Sequence, residues 1–231
     1  MNTEVTTQNN TTSLTAGTVH DGTEGLTQDD LMIPKLHIVQ DMSKYYRDLG
    51  CEVGTIVNSL TNESVGTTVE VIPLSLAQFW GEPPKARNSG ARGRRMPITV
   101  DNVILQWGEF TDEEGVQRRR RKEHDWLCLL PSDADGLPVS VTFRDTSFTA
   151  AKKLNTFAML NKKLGKPSYA TAYELIAQET TNDQGTFYVF SIGKNRAATD
   201  VEMDAARLWS SQLSSRSVVT DNKEDIEEAP F

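Results

Sequence analysis

Residues 54–80 read GTIVNSLTNESVGTTVEVIPLSLAQFW and contain two β-branched runs separated by a polar connection. The first run covers residues 54–59 and the second residues 67–80, and both alternate in part between apolar and polar side chains. Such runs are typical of strands, and residues 61–64 (TNES) are typical of a hairpin connection. The stretch therefore predicts a pair of strands joined by a short turn.

Strand signals also lie on both sides of this stretch. Upstream, Pro34 disfavours a helix in residues 31–40 and favours an extended segment. Downstream, two turn sequences, residues 132–136 (SDADG) and 182–185 (NDQG), separate apolar runs. The predicted downstream strands cover residues 97–110, 124–130, 137–143, 170–178 and 185–192.

Two helices are predicted among these strands. Residues 148–164 place an apolar stripe on one face and lysines mostly elsewhere. Residues 200–214 form the second helix, because Thr199 and Glu202 have the spacing of a capping box. Many short strands with turn-rich spacing and two helices predict a mainly β (α+β) fold, either a small barrel or a sandwich with helical additions.

Acidic residues concentrate at the two ends of the chain. Residues 1–30 carry five acidic side chains and no Lys or Arg, a charge of −5. Residues 217–231 carry five acidic side chains and one Lys, a charge of −4. Subtracting both from the net charge of −8 leaves +1 for residues 31–216. An acidic segment at one end of a near-neutral body favours an electrostatic role for that segment.

The composition also predicts three parts of the chain. The first residues are rich in Thr, Asn, Gln and Gly and lack the apolar spacing of a core, so we predict that they are disordered. The chain becomes polar and acidic again after the second helix. We predict a disordered segment over residues 1–28, a binding domain over residues 29–214 and an acidic interaction tail over residues 215–231.

Several classes of protein are disfavoured by the sequence. No apolar run reaches about 18 residues, and the first residues lack a secretory signal, so we expect a cytoplasmic protein with no membrane partner. Two cysteines are too few for a disulfide scaffold. Motifs of nucleotide-binding loops, serine hydrolases and zinc proteases are absent. We therefore expect no enzyme and no cofactor.

Four residues were weighed as metal ligands. His124 and Cys128 lie four positions apart, and His37 and Cys51 complete a possible set of four. The spacing matches no familiar zinc site. A surface His124 and a core Cys128 are the favoured interpretation, so we expect no metal.

Two basic clusters are the strongest chemical signal in the sequence. Residues 82–97 (EPPKARNSGARGRRMP) have the composition of a loop, with only Glu82 as a nearby acid. Residues 117–124 (QRRRRKEH) form the second cluster. Arg contacts phosphate and stacks on bases, so two mobile basic loops can follow a phosphate backbone. The predicted DNA-contacting cations are Lys85, Arg87, Arg92, Arg94, Arg95, Arg118, Arg119, Arg120, Arg121 and Lys122.

The second cluster has an equally weighted alternative. It follows an acidic turn, residues 112–114, and can be a solvated strand whose charges pair with that turn.

Aromatic residues accompany the basic clusters. Trp80 precedes the first cluster and Trp107 precedes the second, while Tyr45 lies between Lys44 and Tyr46. Aromatic platforms flanked by cations suit single-stranded nucleic acid, because every base offers a π face. We predict Trp80, Trp107 and Tyr45 as stacking residues, although Trp and Phe at strand positions are often core residues.

The tail has a composition unusual for a solubilising segment, since it ends in a bulky aromatic residue. A tethered acidic segment can compete for a basic groove. An apolar side chain beside carboxylates can dock into a basic, hydrophobic pocket on a partner. The predicted partner-binding residues are Asp225, Ile226, Glu227, Glu228, Pro230 and Phe231.

These tail residues resemble the acidic C-terminal tails of bacterial and phage single-stranded DNA-binding proteins. Residues 33–73 also look like a class of phage-encoded single-stranded DNA-binding proteins with an OB-type core. The resemblance implies an OB-fold-like barrel that coats single-stranded DNA. It also implies a tail that recruits replication, recombination and repair proteins. The linker before the tail, about residues 215–224, is shorter than in the bacterial proteins.

Three other hypotheses remain open. An RNA-binding or strand-annealing recombination protein shares the basic and aromatic signals. A structural or adaptor protein predicts no salt-sensitive DNA affinity. An enzyme with an undetected site is the least favoured, because His residues and carboxylate motifs are scarce.

Overall fold

The computed structural model describes residues 32–86, 90–133, 136–183 and 185–214, in which strands predominate over helices. The described residues from Ile33 onward form one compact unit. The described strands are β1 (Leu36–Ile38), β2 (Ile56–Asn58), β3 (Ser64–Gly66), β4 (Thr68–Glu82), β5 (Arg94–Pro97), β6 (Gly108–Thr111), β7 (Gln117–Leu129), β8 (Val139–Phe143), β9 (Thr171–Asn182) and β10 (Gly185–Ala197). The described α-helices are α1 (Lys44–Arg47), α2 (Phe148–Lys163) and α3 (Asp200–Ser214).

The main sheet has seven antiparallel strands in the order β10-β9-β4-β7-β6, with β5 also paired to β4 and β8 to β7. Its centre is β4, which pairs along its length with β7. The opposite edge of β4 is shared, since Thr68–Val71 pair with β9 and Phe79–Glu82 pair with β5. An irregularity in the β4–β7 pairing lies between Pro73 and Ser75, and the sheet curls into a half-barrel. The mainly β prediction is confirmed.

A second sheet contains β1, β2 and β3 in that order. The polar connection at residues 61–64 therefore lies within a hairpin, but between β2 and β3. The second β-branched run, which becomes β4, joins the main sheet instead of pairing with β2. The prediction that the two runs pair with each other was wrong, because residues 64–66 supply the partner of β2.

Apolar side chains form a large core cluster and a smaller one on the main sheet. The large cluster includes Trp126 and Phe143 from the sheet and Leu154 from α2. The smaller cluster includes Ile72 and Leu129 from the sheet, with residues of α3 packed against it. Each long helix therefore stabilises its own part of the sheet by burying its apolar stripe.

Both predicted helices are confirmed, as is the capping box. The Thr199 backbone N–H donates to Glu202 Oε2 at 2.7 Å, and the Glu202 N–H donates to Thr199 Oγ1 at 3.3 Å. These two bonds satisfy the backbone N–H groups of Thr199 and Glu202 at the start of α3.

One strand or two were predicted within residues 97–110, and the prediction is confirmed only at the two ends of this range. Only its two ends belong to strands, Pro97 in β5 and residues 108–110 in β6. Residues 98–107 form a turn-rich loop that Asn102 holds together. Its Oδ1 accepts from the Thr99 N–H and its Nδ2 donates to the Pro97 carbonyl, both at 2.8 Å. Local amide hydrogen bonds of this kind compete with strand pairing.

The predicted disordered segment, residues 1–28, and the predicted tail, residues 215–231, lie outside the described residues.

Candidate nucleic-acid interface

Strand β7 presents a series of polar residues on one side of the sheet. Side chains alternate along a strand, so Arg118, Arg120, Lys122 and His124 share a face. Trp80 of β4 lies opposite Lys122 and belongs to the same face. The pairing of β7 with its neighbours therefore places aromatic side chains beside the cations of this face.

Cation–π contacts join the cations of β7 to these aromatic rings. The guanidinium carbon of Arg120 lies 4.2 Å from the Phe110 ring centroid. Lys122 Nζ lies 5.2 Å from the Trp80 ring. At such distances the negative face of the ring attracts the cation.

The start of α2 continues this arrangement through Phe148. The Phe148 ring lies 4.8 Å from that of His124 and 5.7 Å from that of Trp107, both in edge-on geometry. Lys152, one turn further along α2, places its Nζ 5.5 Å from Phe148. We name the set the aromatic–cation row; its members are Phe110, Arg120, Trp80, Lys122, Trp107, Phe148 and Lys152.

Solvent exposure separates the predicted stacking residues. Trp107 is 44% exposed, whereas Trp80 is 1% and Tyr45 is 2% exposed. The indole N–H of Trp80 donates to the Asn102 carbonyl at 3.0 Å, and Tyr45 stacks on His37 with ring centroids 5.6 Å apart. The prediction that Trp80 and Tyr45 are surface platforms was therefore wrong in this structure, since both pack in the core.

Arg118 is a buried structural residue. Its Nε donates to Asp112 Oδ2 at 2.5 Å, and its Nη1 donates to the carbonyls of Glu82 and Arg92 at 3.0 and 2.8 Å. The hydrogen bond from Arg118 lowers the pKa of Asp112. The prediction of a mobile loop was wrong here, because residues 117–122 belong to β7. The alternative, a strand whose charges pair with the acidic turn, is confirmed for Arg118.

Arg95 and Arg121 lie in a second buried network on the opposite side of β7. Arg95 pairs with Glu123 at 2.9 Å and Asp125 at 2.6 Å. Arg121 pairs with Glu123 at 3.0 Å and also with Asp145. Burial by itself raises the pKa of Glu123, but the charges of Arg121 and Arg95 outweigh it and lower that pKa. Both arginines are thus held by carboxylates.

Three further predicted cations form ion pairs nearer the surface. Lys85 pairs with Glu109 at 2.7 Å. Arg94 pairs with Glu114 at 2.8 Å and lies 3.3 Å from Asp112. Arg120 pairs with Glu82 at 2.6 Å. The expectation that the first cluster has only Glu82 nearby was wrong, because strand pairing brings acids from β6 and the following turn. The exposed pairs Lys85–Glu109 and Arg94–Glu114 are weak and can exchange partners, whereas Glu82 is buried beneath Arg120.

Three of the predicted cations have no ion pair among the residues that the structure describes, namely Arg92, Arg119 and Lys122, and Lys152 of α2 has none either. Arg92 and Arg119 are exposed. Arg87 lies outside the described residues, so the structure does not place it. The predicted cation set therefore divides into structural arginines and a smaller set that is free to meet an anion.

Phe148 and Lys152 escaped the sequence prediction. Both lie on α2, where Phe148 was assigned to the apolar stripe and Lys152 to the solvent face. An aromatic residue at the first position of a lysine-rich helix was the available signal. Its proximity to Trp107 arises from the tertiary fold, which a linear pattern does not contain.

The four residues weighed as metal ligands form no metal-binding cluster in the described part of the chain. Within the described residues, no group of three or more His, Cys, Asp or Glu side chains has the geometry to hold a metal ion. His124 is buried, contrary to the surface position predicted for it. Its Nε2 and Nδ1 lie 3.1 Å from the side-chain amides of Gln78 and Asn155. Cys128 is buried as predicted, and burial raises the pKa of its thiol.

Comparison with known proteins supplies the family. A family model described as Pam3 phage gp34-like protein matches residues 5–218. The chain belongs to this family. The phage part of the resemblance is therefore confirmed. No curated protein and no solved structure matches the chain.

No helix among the described residues is long and apolar enough to cross a membrane.

Proposed function

We propose that this phage-family protein is a non-catalytic single-stranded DNA-binding protein that coats DNA during replication, recombination or repair. The observation that carries the proposal is the aromatic–cation row. It combines an exposed Trp107 with Phe148 and with lysines that have no ion pair in the described part of the chain. This combination is suited to bases and phosphates together.

The chemistry of the row favours sequence-tolerant binding. Stacking on an aromatic ring accepts any base, and a Lys or Arg beside the ring contacts the adjacent phosphate. The structural arginines have a different part in the proposal: Arg118, Arg95 and Arg121 hold the strands that carry the row in register.

The charge distribution sets an expectation for the strength of binding. Residues 31–216 carry only +1, and many basic side chains of the body pair with carboxylates. We infer a short contact with a few phosphates per protein molecule, so affinity falls moderately with salt.

The fold and the tail complete the proposal. A curled antiparallel sheet of short and long strands is compatible with an OB-like barrel, a fold that binds nucleic acids on its sheet face.

We propose that residues 225–231 contact replication or recombination proteins. A pull-down with a peptide of residues 221–231 tests this part separately.

The experiment is a fluorescence-anisotropy titration of the full chain with a labelled mixed-sequence oligonucleotide. Single-stranded DNA, duplex DNA and single-stranded RNA are compared at two salt concentrations. The proposal expects preference for single-stranded DNA and weaker binding at the higher salt. Equal or stronger binding to the duplex favours an annealing protein, preference for RNA favours an RNA-binding protein, and no binding favours an adaptor.

A further inference from the structure

The loop between β5 and β6, residues 98–107, displays apolar side chains to solvent. Val100 is 88% exposed and Ile104 is 82% exposed, the two highest values among the large hydrophobic side chains that the structure describes. Val103 and Trp107 are also exposed. Contiguous exposed apolar side chains mark interaction sites more often than single ones do.

Hydrogen bonds fix the shape of this loop, and Asn102 makes most of them. In addition to the side-chain bonds of Asn102, the Val103 N–H donates to the Thr99 carbonyl at 2.9 Å. The Asn102 carbonyl accepts from the Trp80 indole at 3.0 Å and from the Leu105 N–H at 3.1 Å. The loop is thus pinned to the sheet with its apolar side chains outward, which reduces the entropy lost on binding.

One cation lies near the middle of the loop and another near its C-terminal end. The Trp80 ring that holds the Asn102 carbonyl also carries Lys122 on its face. At the C-terminal end of the loop, Trp107 packs on Phe148, which lies beside Lys152. The loop therefore adjoins the aromatic–cation row, and its exposed tip carries Asp101 beside Val100.

We propose that the loop inserts Val100 and Ile104 between neighbouring bases of a bound single strand. This inference rests on the proposed function and adds a mode of binding to it. Exposed apolar side chains on a loop that adjoins two lysines match an apolar base stack beside anionic phosphates. Aliphatic side chains wedge between bases in other nucleic-acid complexes, where they unstack the step that they enter. A purely apolar protein partner gains nothing from Lys122 and Lys152, so these two lysines favour nucleic acid as the occupant.

The test uses a single-stranded oligonucleotide with one 2-aminopurine among adenines, a base whose emission rises when it is unstacked. The full chain is compared with the double variant Val100→Ser/Ile104→Ser. The matched control is Val201→Ser, which removes an exposed valine on α3. Circular dichroism melting checks that all three proteins are folded, as expected for exposed positions.

The expected result is a rise in emission with the unaltered chain and with the Val201→Ser control. The double variant is expected to give no rise and to bind about tenfold more weakly. Its salt dependence stays unchanged, because no charge is removed.

Two results overturn the insertion. One is an unaltered chain that binds with the expected salt dependence but produces no rise in emission; the proposed function then survives alone. The other is a double variant whose emission and affinity equal those of the unaltered chain. If the unaltered chain binds no oligonucleotide, the proposed function fails and the insertion fails with it.

Discussion

Arg118 Nε lies 2.5 Å from Asp112 Oδ2, and both side chains are almost completely shielded from solvent. The same guanidinium holds the carbonyls of Glu82 and Arg92. One arginine thus joins the end of β4, the segment before β5 and the turn before β7. A residue in a run of four arginines is here a structural cross-link.

Replacing Arg118 with Met is expected to destabilise the fold strongly, because it removes the buried cation closest to Asp112 and the donor to two carbonyls. The melting temperature falls by roughly 5–10 °C. The control is Arg119→Met, whose side chain is exposed, and thermal melting followed by circular dichroism compares the two. Equal melting temperatures would contradict the structural role of Arg118.

The lysines of the aromatic–cation row give a second prediction. Lys122→Ala and Lys152→Ala each remove one positive charge from the proposed interface, so each lowers the slope of log affinity against log salt by about 0.7. Their melting temperatures stay close to that of the unaltered chain. Arg207→Ala is the control, since Arg207 lies on α3 and pairs with Asp204 at 3.1 Å. Slopes that change equally in all three variants argue against this interface.

The two tryptophans are expected to behave in opposite ways. Trp107→Ala lowers single-strand affinity about tenfold and leaves stability nearly unchanged, because the ring is largely outside the core. Trp80→Ala costs about 3–5 kcal/mol of stability, because the ring is buried. Urea denaturation and anisotropy titration on both variants measure the two effects. A Trp107→Ala variant with full affinity removes this ring from the interface.

Stability is expected to fall as pH decreases through the range in which His124 titrates. Burial lowers the pKa of His124 below its ordinary 6.5, nearby Lys122 lowers it further, and Asp125 opposes both. The unfolded chain therefore binds the proton first, so stability is complete above about pH 6.5 and declines below it. Urea denaturation between about pH 7.5 and pH 5 is expected to show that the free energy of unfolding declines below about pH 6.5.

A His124→Gln variant isolates the contribution of the imidazole. Its stability is expected to depend less on pH over the same range. An identical pH dependence in the variant would place the titrating group elsewhere.

Glu202 gives a second pH effect, in more acidic solution. Hydrogen bonds from Arg196 lower the pKa of Glu202 to about 2, against an ordinary value of 4.5. Its carboxylate therefore stabilises the fold above about pH 4.5, and this contribution is lost as pH falls toward 2. Glu202→Gln is expected to lower stability at pH 7 and to flatten the acid branch of the curve. An acid branch of unchanged steepness would refute the assignment.

Local patterns in the sequence predicted the elements of the fold better than their pairing. Residues 200–214 were predicted as a helix because capping and apolar spacing are local signals, and α3 has those bounds. The partner of β4 was not predictable in this way. Thr68 pairs with Ile176 and Leu76 with Trp126, contacts that no short-range pattern specifies.

In the candidate site, too, individual residues were predicted from the sequence but their tertiary contacts were not. Trp107 and Lys122 of the aromatic–cation row were predicted from composition alone. The neutralisation of Arg94 by Asp112 and Glu114 was not, because these acids approach only through the pairing of β4, β6 and β7. The burial of Trp80 was missed since a tryptophan at the end of an apolar run has the same sequence signature in the core and on the surface.

The shared edge of β4 has a consequence for synthesis on the ribosome. Every member of the aromatic–cation row lies between residues 80 and 152. Strand β9, which pairs with β4 beside β5, begins only at Thr171. The chain emerges from the ribosome N-terminus first, so β4, β5 and β7 can pair while β9 is still being synthesised. The unpaired Thr68–Val71 edge is then a transient template for strand addition until β9 arrives.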